Sequence, residues 1–234
     1  AVTGVFLEMN YTPRPEQAYL DILSLRADTW FGDLLRNIHH WSANLLVVTA
    51  VLHLLRVFFT GGHRPPRELN WILGVAMLLL VVGANFTGYL LPWDQLAYWA
   101  ITVSASLLAY IPQIGQAVSR FVLAGPEVGQ GALSNFYAFH VVVLPSLLIA
   151  MMAYHFWKVR KNGGISQPSN DEGRGERVTT LPYLLRIEIA VGLFVLTALL
   201  LFSMLRPAPL GPIANALESP NPAKAAWYFL GLQE

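Results

Sequence analysis

The sequence has 234 residues, of which 55% are hydrophobic and only 12% are charged, and its formal net charge is +1. A soluble domain of this length would carry about a quarter charged residues, so the composition favours a protein whose solvent is the lipid bilayer. No stretch has the density of Lys and Arg that nucleic-acid binding requires, which argues against such a partner. The lack of cysteine excludes disulfides, iron–sulfur ligation and thioether-attached haem within these residues.

Five membrane spans, lettered A to E here, are predicted from the apolar stretches. Crossing a hydrocarbon core of about 30 Å takes roughly 20 helical residues. The residues up to Met9 resemble the tail of span A, and the sequence stops directly after an aromatic-rich run, so we expect both ends to be truncated. The complete spans are B at 34–59, C at 72–91, D at 136–157 and E at 183–205.

The connections between these spans differ in positive charge. The B–C and D–E connections are rich in Lys and Arg, whereas the A–B, C–D and post-E segments are poor in them. The positive-inside rule therefore places the first group at the cytoplasmic or equivalent side, called the negative side here. Residues 95–131 are broken by Pro and Gly and predict short interfacial helices. Residues 166–180 predict a polar linker between an N-terminal bundle (1–165) and a C-terminal region (181–234).

Four histidines within the spans are candidate cofactor ligands, because an ionisable side chain inside a membrane is costly and marks a functional site. His39 and His53 lie 14 residues apart on span B, and His140 and His155 lie 15 apart on span D. Each interval covers about 21 to 22 Å of helix and returns to nearly the same face. Since spans B and D run in the same direction, His39 pairs with His140 and His53 with His155. Two imidazoles facing each other across a bundle fill both axial positions of a haem iron, which suits electron transfer.

Other interpretations of the histidines are less favoured. A compact zinc site needs its ligands within a few ångströms, which two pairs about 20 Å apart do not supply. A histidine proton relay and a non-redox transporter remain alternatives. His40 points about 100° away from its neighbour His39, and His63 lies in a polar loop, so neither is expected to be a ligand.

Arginines and glycines recur at intervals that match the histidines. Arg36 and Arg56 each lie one helical turn outside a histidine of span B and are candidates to bind haem propionates, although interfacial arginines also snorkel without such a role. Gly74 and Gly88 on span C are 14 residues apart, like the ligands. Glycine would let a flat ring approach the backbone, and helix packing would also explain either glycine.

Three segments of the sequence resemble the cytochrome b family of the cytochrome bc complexes: RNIHHWSANLLVVTAVLHLLRVFFTGG, GANFTGYLLPWDQLAYWA and FYAFHVVVLPSLLIAMMAYHF. The 15-residue histidine interval and the PWDQ segment are similar to the b6f branch, in which span E belongs to a separate polypeptide. The resemblance implies an all-α membrane protein with a four-helix bundle (A–D) that binds two b haems, plus span E and interfacial helices. His39 and His140 would then hold the lower-potential haem on the positive side, and His53 and His155 the other.

The resemblance also implies a quinol-oxidising pocket on the positive side. Tyr89, Pro92, Trp93 and Asp94 would lie near it, and NPAKAAWYF would form its loop, with Trp227 and Tyr228 as site residues; these two could equally be an aromatic belt. The family's PEWY motif reads Ala225-Ala226-Trp227-Tyr228 here, so its carboxylate is missing. Glu234, seven residues after Trp227, is a substitute hypothesis.

The partners implied by the resemblance are quinol and quinone, a Rieske iron–sulfur protein, cytochrome c or a similar acceptor, and a second copy of the complex, in an energy-transducing membrane. A further c-type haem attached outside this sequence is left open. Arg160 and Lys161 could attract propionates or quinone, or be solvated positive-inside residues. The alternative function is a di-haem membrane anchor of a quinone-linked dehydrogenase, which the PWD and WYF segments disfavour.

Overall fold

The computed structural model describes residues 1–164, 180–220 and 224–230, and the described part is nearly all helical. The helices are α1 (Val2–Glu8), α2 (Pro15–Ala27), α3 (Gly32–Phe59), α4 (Glu68–Leu90), α5 (Gln95–Ala109), α6 (Gly115–Leu123), α7 (Gln130–Ala138), α8 (Leu144–Lys161) and α9 (Leu185–Leu205). A π-helical turn, Phe139–Val143, joins α7 to α8, a second one, Thr180–Leu184, precedes α9, and a short 3₁₀ turn covers Trp227–Phe229.

Four continuous helices in the described part are long and apolar enough to cross a membrane: α3, α4, the α7–α8 helix and α9. They correspond to spans B to E. Large apolar side chains such as Phe194 of α9, 74% exposed, have no protein cover and suit a lipid environment. The predicted all-α, multi-pass membrane fold is therefore confirmed, and α5 and α6 are the expected short helices.

Local sequence signals explain where several helices begin and end. Both α3 and α8 end at a Gly-Gly pair, with Gly61 and Gly163 at φ values of +71° and +85°. In each case the second glycine donates its N–H back across the last turn, Gly62 to the Val57 carbonyl and Gly164 to that of Val159. Glycine adopts this left-handed conformation without the steric cost of a Cβ atom, so both pairs are helix C-caps.

The chain divides into two compact units, which are described separately. Unit I contains Ala1–Leu35, Val82–Leu147 and Pro209–Glu234, and unit II contains Arg36–Val81 and Leu148–Ala208. The buried core of unit I is apolar and includes Ala18 of α2, which the sequence did not predict as a helix, with Leu90, Ile101, Leu133 and Phe136. The Tyr11 phenol donates to the Leu91 carbonyl at 2.6 Å, and burial together with nearby Asp21 raises the pKa of Tyr11.

Unit II is held by side chains that bond to main-chain groups at helix ends. Arg67, just before α4, donates to the carbonyls of Gly164 at 2.6 Å and Asn162 at 3.1 Å. Near the start of α3, Asn37 accepts the Ala208 N–H at 2.8 Å and donates to the Ser203 carbonyl at 3.2 Å. These bonds pair the Ser203 carbonyl, in the last turn of α9, and main-chain groups just beyond α8 and α9.

Candidate haem and quinol sites

The imidazoles of His53 and His155 face each other within unit II. Their ring centroids are 6.5 Å apart and their planes are inclined at 73°. A metal–imidazole bond is about 2 Å long, and the ring centroid lies about 1 Å behind the nitrogen. Two imidazoles on opposite sides of one metal therefore have centroids roughly 6 Å apart. The observed separation fits a planar haem held between these two side chains.

Gly74 of α4 lies beside this pair. A Cβ atom built on Gly74 would be 3.8 Å from Cε1 of His155, which is an ordinary van der Waals contact. In the described part of the chain, buried Nδ1 of His155 has no hydrogen bond of suitable geometry. The main chain of Asn70 interacts with the imidazole. The structure thus brings together three of the predicted haem-site residues of unit II.

His140 lies in unit I, in the π-helical turn of Phe139–Val143. Its Nδ1 atom is 2.9 Å from the Ala84 carbonyl and 3.2 Å from the Thr87 hydroxyl. A carbonyl oxygen can only accept, so Nδ1 carries the proton and donates it. This tautomer places the imidazole lone pair on Nε2. Haem-ligating and other metal-ligating histidines are commonly oriented in this way, by donating the second ring N–H to a carbonyl.

Gly88 packs directly against the His140 ring. A Cβ atom at Gly88 would lie 2.5 Å from Cε1 and 3.0 Å from both ring nitrogens, much closer than real Cβ contacts. Glycine is therefore required for the observed position of this imidazole. The two glycines that the sequence singled out each face a predicted ligand of span D, Gly74 facing His155 and Gly88 facing His140.

The π-helical turn explains the 15-residue interval between His140 and His155. Pro145 has no N–H to donate to the Val141 carbonyl, and its ring would clash with that group in an α-helix. The Leu144 N–H instead bonds to the Phe139 carbonyl, five residues back. A π turn contains one more residue than an α turn, so 15 residues here correspond to 14 in a regular α-helix, the interval seen on span B.

The remaining predicted haem residues lie on α3 in unit II. His39 is half-buried, and Arg36 is 7% exposed and donates from Nη1 to the Ala208 carbonyl at 2.8 Å. Arg56 is exposed in the last turn of α3. Of the histidines not expected to be ligands, His40 lies beside Asn44 and His63 stacks on Phe58 with ring centroids 4.9 Å apart. The assignment of both arginines to propionates stays a prediction.

The described residues among those predicted for the quinol pocket lie in unit I. Trp93 is 5% exposed and has φ of +52°, a left-handed conformation that is unfavourable for a side chain of this size. Phe229 packs edge-on against Phe86 of α4, with ring centroids 5.4 Å apart, which ties the Trp227–Phe229 turn to α4. Trp227 is 50% exposed, and burial raises the pKa of Tyr228 to about 12.

The Asp94 side chain is buried, and its carboxylate is bonded to main-chain N–H groups. Its carboxylate accepts the Ala97 N–H at 2.9 Å, as the N-cap of α5, and the Gly211 N–H at 2.8 Å. The next residue, Gln95, bonds to the main chain of Asn215 and Glu218. Asp94 and Gln95 thus fasten the segment after α9 to the start of α5. Pro92 precedes them and is half-buried.

Three of the sequence predictions fall wholly or partly outside the described residues: Glu234, residues 221–223 of the NPAKAAWYF loop, and the linker at 166–180, of which only the main chain of Thr180 is described. The domain division based on that linker stays a prediction. Sequence reasoning also missed Thr87, which contacts His140. Its position directly before Gly88, a glycine that the sequence singled out, is the pattern that could have indicated a place beside the haem site. Among the described residues, no three His, Asp or Glu side chains cluster as ligands of a metal ion.

Comparison with known proteins gives consistent matches. A family model described as cytochrome b (N-terminal)/b6/petB matches residues 44–212. Cytochrome b6 of Heliobacterium mobile is 41% identical over 167 residues, which cover 71% of this chain and 78% of that protein. The menaquinol:cytochrome c reductase cytochrome b subunit of Geobacillus thermodenitrificans is 42% identical over 168 residues, covering 71% of this chain and 75% of that protein.

A solved structure of a hyperthermophilic respiratory Complex III contains a chain with the same fold. The TM-score is 0.85 at 28% sequence identity, and the match covers 99% of this chain. The present chain spans 64% of that Complex III chain, just under two thirds of its length.

Proposed function

The chain belongs to the cytochrome b (N-terminal)/b6 family, and on this basis we propose that it is the cytochrome b subunit of a quinol:cytochrome c oxidoreductase in an energy-transducing membrane. In the sequence, the PWD and WYF segments favour this function over that of a di-haem dehydrogenase anchor. The relatives include a cytochrome b subunit of a menaquinol:cytochrome c reductase, which is an oxidoreductase.

Two b haems are the proposed cofactors. The 6.5 Å separation of the His53 and His155 rings supports the first haem and is the observation on which the proposal mainly rests. His140, with its Nδ1 proton held by Ala84, is a proposed ligand of the second haem, with His39 as the counterpart that the sequence spacing predicts. Bound haem would supply one-electron transfer across the membrane.

The chain's own residues would orient the histidine ligands and leave space for the haems. Hydrogen bonding at Nδ1 fixes the tautomer of His140 and makes its other nitrogen a better ligand. Gly74 and Gly88 provide the space beside the imidazoles. Arg36 and Arg56 are proposed to bind propionates; a guanidinium has five N–H donors, so the bond from Arg36 to Ala208 is compatible with a second partner.

Quinol is proposed to be oxidised near Pro92, Trp93, Trp227 and Tyr228. A phenol whose pKa is about 12 stays protonated at physiological pH, so Tyr228 can donate a hydrogen bond to a quinol oxygen but cannot serve as the base. Ala226 stands where the family has a glutamate, so the proton must leave through another group, for which Glu234 stays a hypothesis. The proposed partners are a Rieske protein, cytochrome c or a similar acceptor, and a second copy of the complex.

The function can be tested by redox titration of the visible reduced-minus-oxidised spectrum of the purified complex. We expect two b-type midpoints well apart, and quinol oxidation that a positive-side inhibitor blocks. Absence of haem bands would exclude both redox interpretations. Two haems with no inhibitor-sensitive quinol oxidation would favour the dehydrogenase-anchor alternative.

Replacing Tyr228 with phenylalanine is expected to lower the rate of quinol oxidation by a factor of about 2 to 13, because loss of one hydrogen bond of about 0.5–1.5 kcal/mol changes a rate by that factor. The measurement is steady-state quinol:acceptor activity of the complex at equal haem content. Tyr110→Phe is the matched control, since Tyr110 is 84% exposed. Equal rates in the two variants would remove Tyr228 from the site.

A further inference from the structure

The two proposed ligands on the α7–α8 helix differ in what holds their Nδ1 atoms. For His140, the Ala84 carbonyl and the Thr87 hydroxyl lie 2.9 and 3.2 Å from Nδ1. Thr87 is 6% exposed, and its Oγ1 atom is also 3.0 Å from the Gly83 carbonyl. Its hydroxyl proton can therefore be given to that carbonyl, which turns an oxygen lone pair toward the His140 N–H.

His155 has no equivalent of this hydroxyl. Within the described ranges its buried Nδ1 forms no hydrogen bond of suitable geometry, and the group that interacts with the ring is the main chain of Asn70, not a hydroxyl. The position 14 residues before Thr87, one before Gly74, is Leu73. Leucine has no polar group to offer. The glycine interval of α4 is thus repeated beside both histidines, but the threonine is present beside only one of them.

This difference has an electronic consequence. An imidazole that donates its second N–H is a more basic ligand, and a more basic ligand favours the oxidised over the reduced metal. Hydrogen bonding around the axial ligands is one of the ways in which a protein sets the potential of a haem. On the proposed function, which this inference presupposes, the two haems should differ in potential partly for this reason.

We propose that Thr87 is a positioning residue that lowers the potential of the haem bound by His140, by accepting a hydrogen bond from the Nδ1 of that ligand. Leu73 leaves the haem bound by His155 without this effect. The two midpoint potentials would thereby differ because of the residues at positions 73 and 87, although histidines bind the iron of both haems.

The test is redox titration of the purified complex with Thr87→Val, which keeps the shape of the side chain and removes its hydroxyl. The lower midpoint should rise, with up to a tenfold change in the ratio of reduced to oxidised haem at fixed potential, equivalent to about 59 mV for a one-electron couple. The higher midpoint should not move. Thr87→Ser restores the hydroxyl and should restore the lower midpoint. The low-spin ferric EPR signal of that haem should likewise change in Thr87→Val and return in Thr87→Ser.

Thr102→Val is the matched control, because the Thr102 hydroxyl bonds to the Tyr98 carbonyl of its own helix at 3.0 Å. Thr87→Ala serves as the second variant should the valine form not accumulate, with the same rise expected. Two midpoints that stay unchanged in both variants would overturn the role of Thr87 and leave the proposed function standing. A wild-type complex without two b-type midpoints would instead overturn the proposed function.

Discussion

Replacing Gly88 with alanine is expected to remove most of the haem that His140 is proposed to bind, whereas the same replacement at Gly74 should leave both proposed haems bound. At Gly88 the new Cβ atom would lie 2.5 Å from the His140 ring, and at Gly74 it would lie 3.8 Å from the His155 ring. His140 cannot simply move away, because its Nδ1 is bonded to Ala84 and contacts Thr87. Displacing the ring would break these bonds and move Nε2 away from the position in which it would bind the haem iron.

Haem content per polypeptide and the number of b-type midpoints in the purified complex give the measurement. A loss of about half of the haem in Gly88→Ala, with a single remaining midpoint, is the expected result. Gly192→Ala is a control for substitution within a span, since nothing lies within 4 Å of its Cβ position. Equal haem content in the Gly88 and Gly74 variants would show that the close approach of Gly88 to His140 is not required.

These glycines show how far the sequence alone can predict the site. Equal spacing of glycines and histidines predicted that Gly74 and Gly88 lie at the levels of the two histidine pairs, because helical geometry fixes axial intervals. It did not predict that each glycine faces an imidazole. It treated Gly74 and Gly88 as equivalent. The difference between contacts of 2.5 and 3.8 Å depends on side-chain orientation, which residue spacing does not determine.

The histidine interval on span D shows a second limit. Regular α-helical geometry makes an interval of 15 residues less favourable than one of 14, yet the π-helical turn at Phe139–Val143 absorbs the extra residue. Pro145 was the sequence signal, because a proline in a span removes one main-chain hydrogen bond. The sequence shows that the helix must adjust near this residue, but a kink, a 3₁₀ turn and a π turn are all possible responses.

Contacts between distant segments were the least predictable part. Arg36 was interpreted from its position one turn from His39, and its bond to Ala208, 172 residues later, could not be read from a pattern. The same applies to Asp94, whose place in the PWDQ segment suggested a role in the quinol pocket. Its bonds instead depend on where the segment after α9 lies.

Replacing Asp94 with alanine is therefore expected to destabilise unit I, by about 2–4 kcal/mol. Loss of the N-cap of α5 costs about 0.5–2 kcal/mol, and leaving the Gly211 N–H without its acceptor costs about 1–3 kcal/mol. The segment around Gly211 should then separate from the start of α5 and become accessible to protease in the assembled complex. The stability of Asp94→Asn should lie between that of the unchanged protein and that of Asp94→Ala, because the asparagine amide oxygen can still accept a hydrogen bond from one of the two N–H groups.

Thermal unfolding and limited proteolysis of the complex measure this effect, and quinol oxidation should fall in parallel because Trp227 and Tyr228 follow the released segment. Asp28→Ala is the matched control: Asp28 is exposed at the C-cap of α2, where a negative charge is unfavourable, so its removal should be neutral or slightly stabilising. If Asp94→Ala were as stable and as protease-resistant as Asp28→Ala but lost quinol oxidation, Asp94 would act in the chemistry itself and not through the attachment of this segment.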